Sequence, residues 1–311
     1  MKRETTHRQE MFYAEPIYRP PSEAYSLLIQ ASVGCSAASA GRCYFCTSCV
    51  FDKSVPQKRF RIRPVEEVLE DIRIAKDQYG PGVQKIFLLD SNAMVIRTPS
   101  LLRIVNGCYD AFPKLKQVSC YACCGDILRK GDDDLKALRK AGLNLVFLGL
   151  ESGDQQVLDL MNKGAKVPDQ IEAVVRANAA GIRTSVTIII GLGGKLLSSQ
   201  HAKATGKAVS AMNPTYLSAL TLMVVPGSPV EQMIQNGKFD PVTDPAAILR
   251  ELELIIKHID VPGPVVFRTN HASNYLPLKG TLPNDKESML KLIQSALSNP
   301  KMLRPENYRG L

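Results

Sequence analysis

The constraint that most narrows the fold of this chain is a rhythm. Short apolar runs alternate with stretches of helical period from residue 26 to residue 297. Six runs read as strands: 26–33, 85–90, 117–122, 144–150, 184–190 and 216–225, with Val265-Val266-Phe267 as a short seventh. Between and after them lie helical patterns at 65–76, 99–111, 132–141, near 155–161, and at 168–180, 199–212, 248–257 and 285–297. Strands separated by helices pair in parallel through right-handed crossovers. Near-continuous apolar strands, 184–190 above all, imply a sheet covered on both faces or a closed barrel. The expectation is an α/β chain with about six parallel strands and outer helices. Residues 1–22, polar and carrying Pro16, Pro20 and Pro21, read as an arm, 23–300 as one body, and 301–311 as a tail.

No run of roughly 18 apolar residues exists, which argues against a spanning helix. The start, Met1 to Glu10, lacks the apolar centre of a signal peptide, and the expected location is the cytoplasm. There, eight cysteines point to metal or catalysis rather than disulfides. The formal net charge of +9 raises an anionic partner such as a nucleic acid. The one basic cluster, Lys58-Arg59-Phe60-Arg61-Ile62-Arg63, is modest, and the chain has no Trp. A generally basic surface is the favoured reading.

In parallel α/β folds the C-terminal ends of the strands carry the site. Here those ends are marked: Gly34-Cys35, Asp90-Ser91-Asn92-Ala93, Tyr121-Ala122-Cys123-Cys124, Gly149-Leu150-Glu151-Ser152-Gly153, Gly191-Leu192-Gly193-Gly194 and Pro226-Gly227-Ser228. After the first strand, Cys35, Cys43, Cys46 and Cys49 fall within fifteen residues. Converging thiolates hold zinc or an iron–sulfur cluster. A zinc ribbon offers two Cys-x2-Cys pairs, and this chain has one, Cys43 and Cys46; Cys120, Cys123 and Cys124 lie on another strand. A non-catalytic zinc or iron–sulfur module that binds nucleic acid is the alternative reading.

Three cysteines after the first strand, with Phe45 just before the last, resemble the cluster loop of radical S-adenosylmethionine (radical SAM) enzymes. The family's usual spacing is Cys-x3-Cys-x2-Cys, and this chain has four extra residues in the first gap. The segment 149–153, followed by Val157-Leu158 and Lys163, resembles the coproporphyrinogen dehydrogenase and methylthiotransferase branches. The resemblance implies an incomplete TIM-type barrel. It implies a [4Fe-4S] cluster on Cys35, Cys43 and Cys46, with one iron open to S-adenosylmethionine, and Cys49 as a substitute ligand. It further implies S-adenosylmethionine contacts from Asp90, Ser91, Asn92, Glu151, Lys163, Gly191 and Gly193.

The function so implied is reductive cleavage of S-adenosylmethionine to a 5′-deoxyadenosyl radical, which takes a hydrogen atom from an unidentified substrate. Flavodoxin or ferredoxin is the expected electron donor, and oxidoreductase and transferase outcomes both stay open. At this length the chain leaves no room for an appended RNA-binding or cobalamin domain, which favours a small molecule over nucleic acid. Two polar clusters are candidates to face the substrate: Ser199-Gln200-His201, and 269–275, where His271 is the candidate proton carrier.

Overall fold

The computed structural model of the chain describes residues 10–37, 43–48, 55 and 58–310. It divides into two compact units: Met1–Ser36, Val55–Val146 and Ala180–Ile182 form the first, and Ala37–Ser54, Phe147–Ala179 and Arg183–Leu311 the second.

In the first unit the apolar run at 26–33 becomes two strands, β1 (Leu27–Gln30) and β2 (Ser32–Val33). β2 pairs antiparallel with β3 (Arg61–Ile62). β1 lies parallel to β4 (Lys85–Leu89), with Leu28 opposite Phe87, and β4 lies parallel to β5 (Gln117–Tyr121), with Leu88 opposite Cys120. The connections are helical, as the spacing requires. α1 (Val65–Tyr79) buries Val68, Ile72 and Ala75, which share one face at helical period. α2 (Thr98–Ala111) starts on Pro99, whose fixed φ suits a first turn. A short α3 (Cys124–Leu128) precedes α4 (Asp132–Ala141), which Gly142 stops in the left-handed conformation.

Residues 10–22 are fastened to this unit. The Phe12 amide donates to Asp71 at 3.1 Å, the Tyr13 hydroxyl to the Leu28 carbonyl at 2.7 Å, and the Ala14 amide to Gln30 Oε1 at 2.6 Å. The basic cluster turns out to be partly interior: Lys58 and Arg63 are buried, paired with Asp90 and Asp71.

β6 (Leu143–Glu151) begins in the first unit and ends in the second. There it is followed by α5 (Gln155–Leu160), which Asp154 caps by accepting the Val157 amide at 3.1 Å, and by α6 (Val167–Ala179). β7 (Arg183–Ile190) and β8 (Tyr216–Thr221) run parallel with α7 (Gly194–Met212) between them, and β9 (Val265–Arg268) is parallel to β8. Four elements lay outside the sequence pattern: β3, α3, α8 (Pro229–Gln235) and the antiparallel β10 (Lys279–Leu282) beside β9. α9 (Pro245–Lys257) and α10 (Lys286–Ser298) complete the second unit. The α/β class and the mostly parallel pairing are as expected, with about eight strands in place of six or seven. Among the described residues no helix is long and apolar enough to cross a membrane.

Candidate active site

The segment entering the cysteine loop is set by one carboxylate of the first unit. Asp90, fully buried at the end of β4, accepts the Gly34 amide at 3.1 Å, receives Gln30 Nε2 at 3.4 Å and pairs with the Lys58 ammonium. Lys58 also donates to the carbonyls of Ala14, at 3.3 Å, and Pro16, at 2.7 Å. Gly34 sits at φ +67°, and a Cβ there would overlap the Lys58 carbonyl. No other residue type fits that approach without moving backbone. Cys35 leaves directly from this point.

Asn92, also fully buried, donates to Ser36 Oγ at 2.7 Å and to Asp126, and accepts the Cys123 amide at 3.3 Å. Asp90 and Asn92 therefore spend their polar atoms inside the protein. Ser91 between them is half-buried, its Oγ 3.5 Å from Asp90 Oδ1.

In the second unit Cys43 and Cys46 flank a turn closed by the Cys46 amide on the Cys43 carbonyl at 3.2 Å. The turn is anchored by the aromatic pair within it. Tyr44 and Phe45 pack on a core of Val157, Met161, Leu192, Val230 and Phe239. The Tyr44 amide donates to the Met161 carbonyl at 3.0 Å, and the Val230 amide to the Tyr44 carbonyl at 3.4 Å. Ser48 Oγ lies 3.1 Å from Cys46 Sγ.

Cys35, Cys43 and Cys46 are half-buried thiols. Their soft donor chemistry fits iron or zinc. Among the described residues no three His, Cys, Asp or Glu side chains are gathered into a ready-made metal cage. The fit is therefore one of donor type. Cys49 lies outside the described residues. Cys120 is buried, and burial pushes its thiol up to about 12, which makes it a poor ligand; Cys123 and Cys124 are half-buried.

At the end of β6, Glu151 and Lys163 form an ion pair of 2.9 Å, both largely buried. Glu151 is held at φ +63°, a left-handed conformation that costs a side-chain residue about 1–2 kcal/mol. Gly149 makes room for it, since a Cβ at 149 would overlap the Glu151 carboxylate. Strain, burial and opposite charges thus converge on one strand end.

Behind this strand end lies a network that the sequence did not reveal. Ser152 Oγ is 2.8 Å from His201 Nδ1, and His201 Nε2 is 3.1 Å from the Ile189 carbonyl. A neutral imidazole with its proton on Nε2 satisfies both contacts. Glu251, on α9, accepts the Gly191 amide at 2.5 Å and the Ser198 hydroxyl, and its Oε1 stands 3.5 Å from His201 Nε2. Both side chains are shut off from water. Burial pushes Glu251 up to about 7, against the Gly191 amide and the Ser198 hydroxyl. Burial pushes His201 down to about 4, against the Ile189 carbonyl and Asp154. His201 thus fixes the 149–153 and 191–194 turns from behind, and it does so as a fully buried side chain rather than one facing a ligand. Gly191 is a fixed point through Glu251, and a Cβ added at Gly193 would stand 3.1 Å from His201 Cβ.

His271 is half-buried in a turn. Its Nδ1 is 2.9 Å from Ser273 Oγ and accepts the Ser273 amide at 3.1 Å. Burial, and then Arg304, lower its affinity for a proton. The whole segment 269–275 is tied down: Ser273 Oγ accepts the Thr221 amide at 3.1 Å, Asn274 Oδ1 accepts the Thr221 hydroxyl at 2.9 Å, and Arg304 donates to the Ala272 carbonyl at 2.8 Å.

Comparison with known proteins gives the arrangement a context. Residues 30–199 match the Radical SAM superfamily. An uncharacterized methyltransferase of Pyrococcus horikoshii is 24% identical over 186 residues, covering 58% of this chain and 38% of that protein. The hopanoid C-3 methylase of Methylococcus capsulatus is 26% identical over 159 residues, covering 51% of this chain and 28% of that one. The chain thus spans well under half the length of either relative. Among solved structures, the radical S-adenosylmethionine methyltransferase TsrM of Kitasatospora setae, with cobalamin and a [4Fe-4S] cluster bound, aligns with a TM-score of 0.53 at 20% identity, over 73% of this chain and 44% of that one. The coproporphyrinogen III oxidase HemN of Escherichia coli, a radical SAM enzyme, aligns with a TM-score of 0.53 at 17% identity, over 81% and 54%. At such identities the likeness is one of fold, the incomplete α/β barrel.

Proposed function

This chain belongs to the radical SAM superfamily, and we propose that it uses a [4Fe-4S] cluster to cleave S-adenosylmethionine and take a hydrogen atom from a small-molecule substrate. The observation that carries the reading is the family match over residues 30–199, which spans Cys35, Cys43, Cys46, Glu151 and Lys163. When bound, the cluster and S-adenosylmethionine supply one-electron cleavage of the sulfonium and, from it, a 5′-deoxyadenosyl radical.

The chain's own residues supply holding and placement. Cys35, Cys43 and Cys46 are the three thiolate ligands, the last two presented on the turn that Tyr44 and Phe45 anchor. Glu151 and Lys163 take the polar groups of S-adenosylmethionine, the carboxylate on ribose hydroxyls and the ammonium on the methionyl carboxylate. In doing so they exchange their mutual ion pair for the ligand. The backbone at Gly191 and Gly193, braced by Glu251 and His201, gives adenine a close approach. Asp90 and Asn92 hold the loop, which leaves Ser91 as the residue of that strand end to meet the methionyl amine. His271 positions the C-terminal segment and is the candidate proton carrier there. A low-potential protein such as flavodoxin or ferredoxin supplies the electron.

The methyltransferase and methylase names of the relatives favour a transferase outcome over net oxidation. Anaerobic reconstitution with iron and sulfide, followed by dithionite and S-adenosylmethionine, tests the proposal. A brown protein that releases 5′-deoxyadenosine and methionine supports it. A colourless protein that binds one zinc and leaves S-adenosylmethionine intact refutes it in favour of a non-catalytic metal module.

A further inference from the structure

One cavity of the second unit meets the reading above only at Gly191. It measures about 1090 Å³ and lies at the C-terminal ends of β7 and β8, between Gly191, residues 221–224, the start of α9, the end of α10 and residues 300–309. In parallel α/β folds this end of the strands is where ligands bind. Its size is slightly above the range of about 300–1,000 Å³ usual for sites that hold drug-sized molecules.

The chemistry of the wall decides the class of ligand. Leu222, Met223, Val224, Val242, Leu297 and Leu303 line it with aliphatic surface. Most polar side chains of the wall are already bonded, to one another, to Asn274 or to backbone. The Thr221 hydroxyl donates to Asn274 at 2.9 Å, and the Tyr275 hydroxyl to Glu306 at 2.6 Å. Arg309 stacks on the Tyr275 ring at 3.9 Å and donates to the Ser273 carbonyl at 2.7 Å. Arg304 donates to the carbonyls of His271, Ala272 and Asn274, at 3.2, 2.8 and 3.1 Å. Asp244 caps α9 through the amides of Ala246 and Ala247, each at 3.1 Å. Thr243 and Lys301 are exposed. Apart from Thr243 and Lys301, a ligand rich in hydroxyl or charged groups would have to compete with these bonds, an unfavourable exchange.

We propose that this cavity binds the hydrocarbon body of the substrate, a molecule whose skeleton is predominantly aliphatic. The assignment rests on the radical SAM reading only in calling the ligand a substrate. The two agree chemically, because a carbon–hydrogen bond with no heteroatom beside it is open to hydrogen-atom abstraction and closed to acid–base chemistry.

The test needs neither cluster nor S-adenosylmethionine. The full chain is titrated with N-phenyl-1-naphthylamine, a neutral dye that brightens in apolar surroundings, and the bound dye is challenged with dodecanol or tryptophan. Val224, which is 37% exposed, and the half-buried Leu297 are replaced in Val224→Glu and Leu297→Glu, two wall positions outside the fully buried core. Saturable binding that dodecanol displaces and tryptophan does not, weakened at least tenfold in either variant with an unchanged melting temperature, supports the proposal. Dye binding that both variants leave unchanged, or displacement by tryptophan as readily as by dodecanol, overturns it. S-adenosylmethionine cleavage by the reconstituted enzyme is scored separately, so the two readings fail independently.

Discussion

Replacing Glu251 with glutamine changes how stability depends on pH, and the size of the change follows from two buried groups. Glu251 has its affinity for a proton raised from 4.5 to about 7, and His201 has its own lowered from 6.5 to about 4. Between the ordinary and the shifted value of Glu251, the folded protein keeps a proton that the unfolded chain releases. Its stabilising term is fully present below pH 4.5 and is lost as pH rises through about 7. For His201 the unfolded chain holds the extra proton. Its term is present above pH 6.5 and is lost as pH falls through about 4. Each term amounts to about 3 kcal/mol, at roughly 1.4 kcal/mol per pH unit. Neither needs discounting for solvent, since the two side chains are 3% and 0% exposed. In the wild type the slopes oppose each other and nearly cancel between pH 4.5 and 6.5. Glutamine mimics the protonated carboxyl, keeps an oxygen for the Gly191 amide and leaves His201 neutral. The Glu251→Gln variant therefore gains stability relative to wild type as pH rises from 4.5 to 7, by about 3 kcal/mol in total. Urea midpoints at half-unit steps of pH measure it, and the contribution of all other carboxylates drops out in the difference. His201→Gln gives the opposite difference, a relative gain as pH falls from 6.5 to 4. Parallel profiles for wild type and both variants would refute the assignment of these charges.

Three further outcomes are expected. Asp90→Asn leaves the buried Lys58 ammonium without its counter-charge and costs about 3–5 kcal/mol by urea denaturation, whereas the double change Lys58→Met with Asp90→Leu recovers part of that loss. Gly149→Ala forces the Glu151 carboxylate aside, and calorimetric titration with S-adenosylmethionine shows at least tenfold weaker binding with little change in melting temperature. Cys43→Ala or Cys46→Ala abolishes the visible absorption of the reconstituted cluster, while Cys49→Ala retains it; an intact cluster without Cys35 that is lost without Cys49 reverses the ligand assignment.

The parts of the fold that could be read from the sequence are those with a period. β7 is a run of β-branched residues, and α1 repeats its apolar positions on one face, so both announce themselves within a few residues of their observed ends. β10 does not, because Lys-Gly-Thr-Leu has neither alternation nor a continuous apolar run; its pairing with β9 makes it a strand. α7 starts at Gly194 rather than Ser199, because the Gly194 amide on the Gly191 carbonyl and the Lys195 amide on Asp240 turn the chain earlier than any capping side chain signals. The candidate site divides in the same way. The Glu151–Lys163 pair is visible as two charges after a strand. The roles of Lys58 and Glu251 are set by partners 32 and 60 residues away, Asp90 and Gly191. Lys58 stands inside a basic cluster that reads as surface, and only the long-range contact shows it to be interior.

The convergence of Gly34 and Lys58 on Asp90 has a consequence for how this chain tolerates change. The chain on either side of the cysteine segment meets at a single carboxylate, and the Tyr44 backbone pins the segment again, to Met161 and Val230. The free energy of closing a ring grows only with the logarithm of its length. Enlarging the stretch between two pins from about three to about seven residues costs roughly 0.8 kcal/mol. The four residues by which the gap between Cys35 and Cys43 exceeds the usual family spacing are therefore a small cost in stability. Length between the pins can drift at that small cost, while the three residues that meet at the carboxylate are held to their chemistry: a carboxylate, an ammonium, and a glycine with no side chain to place.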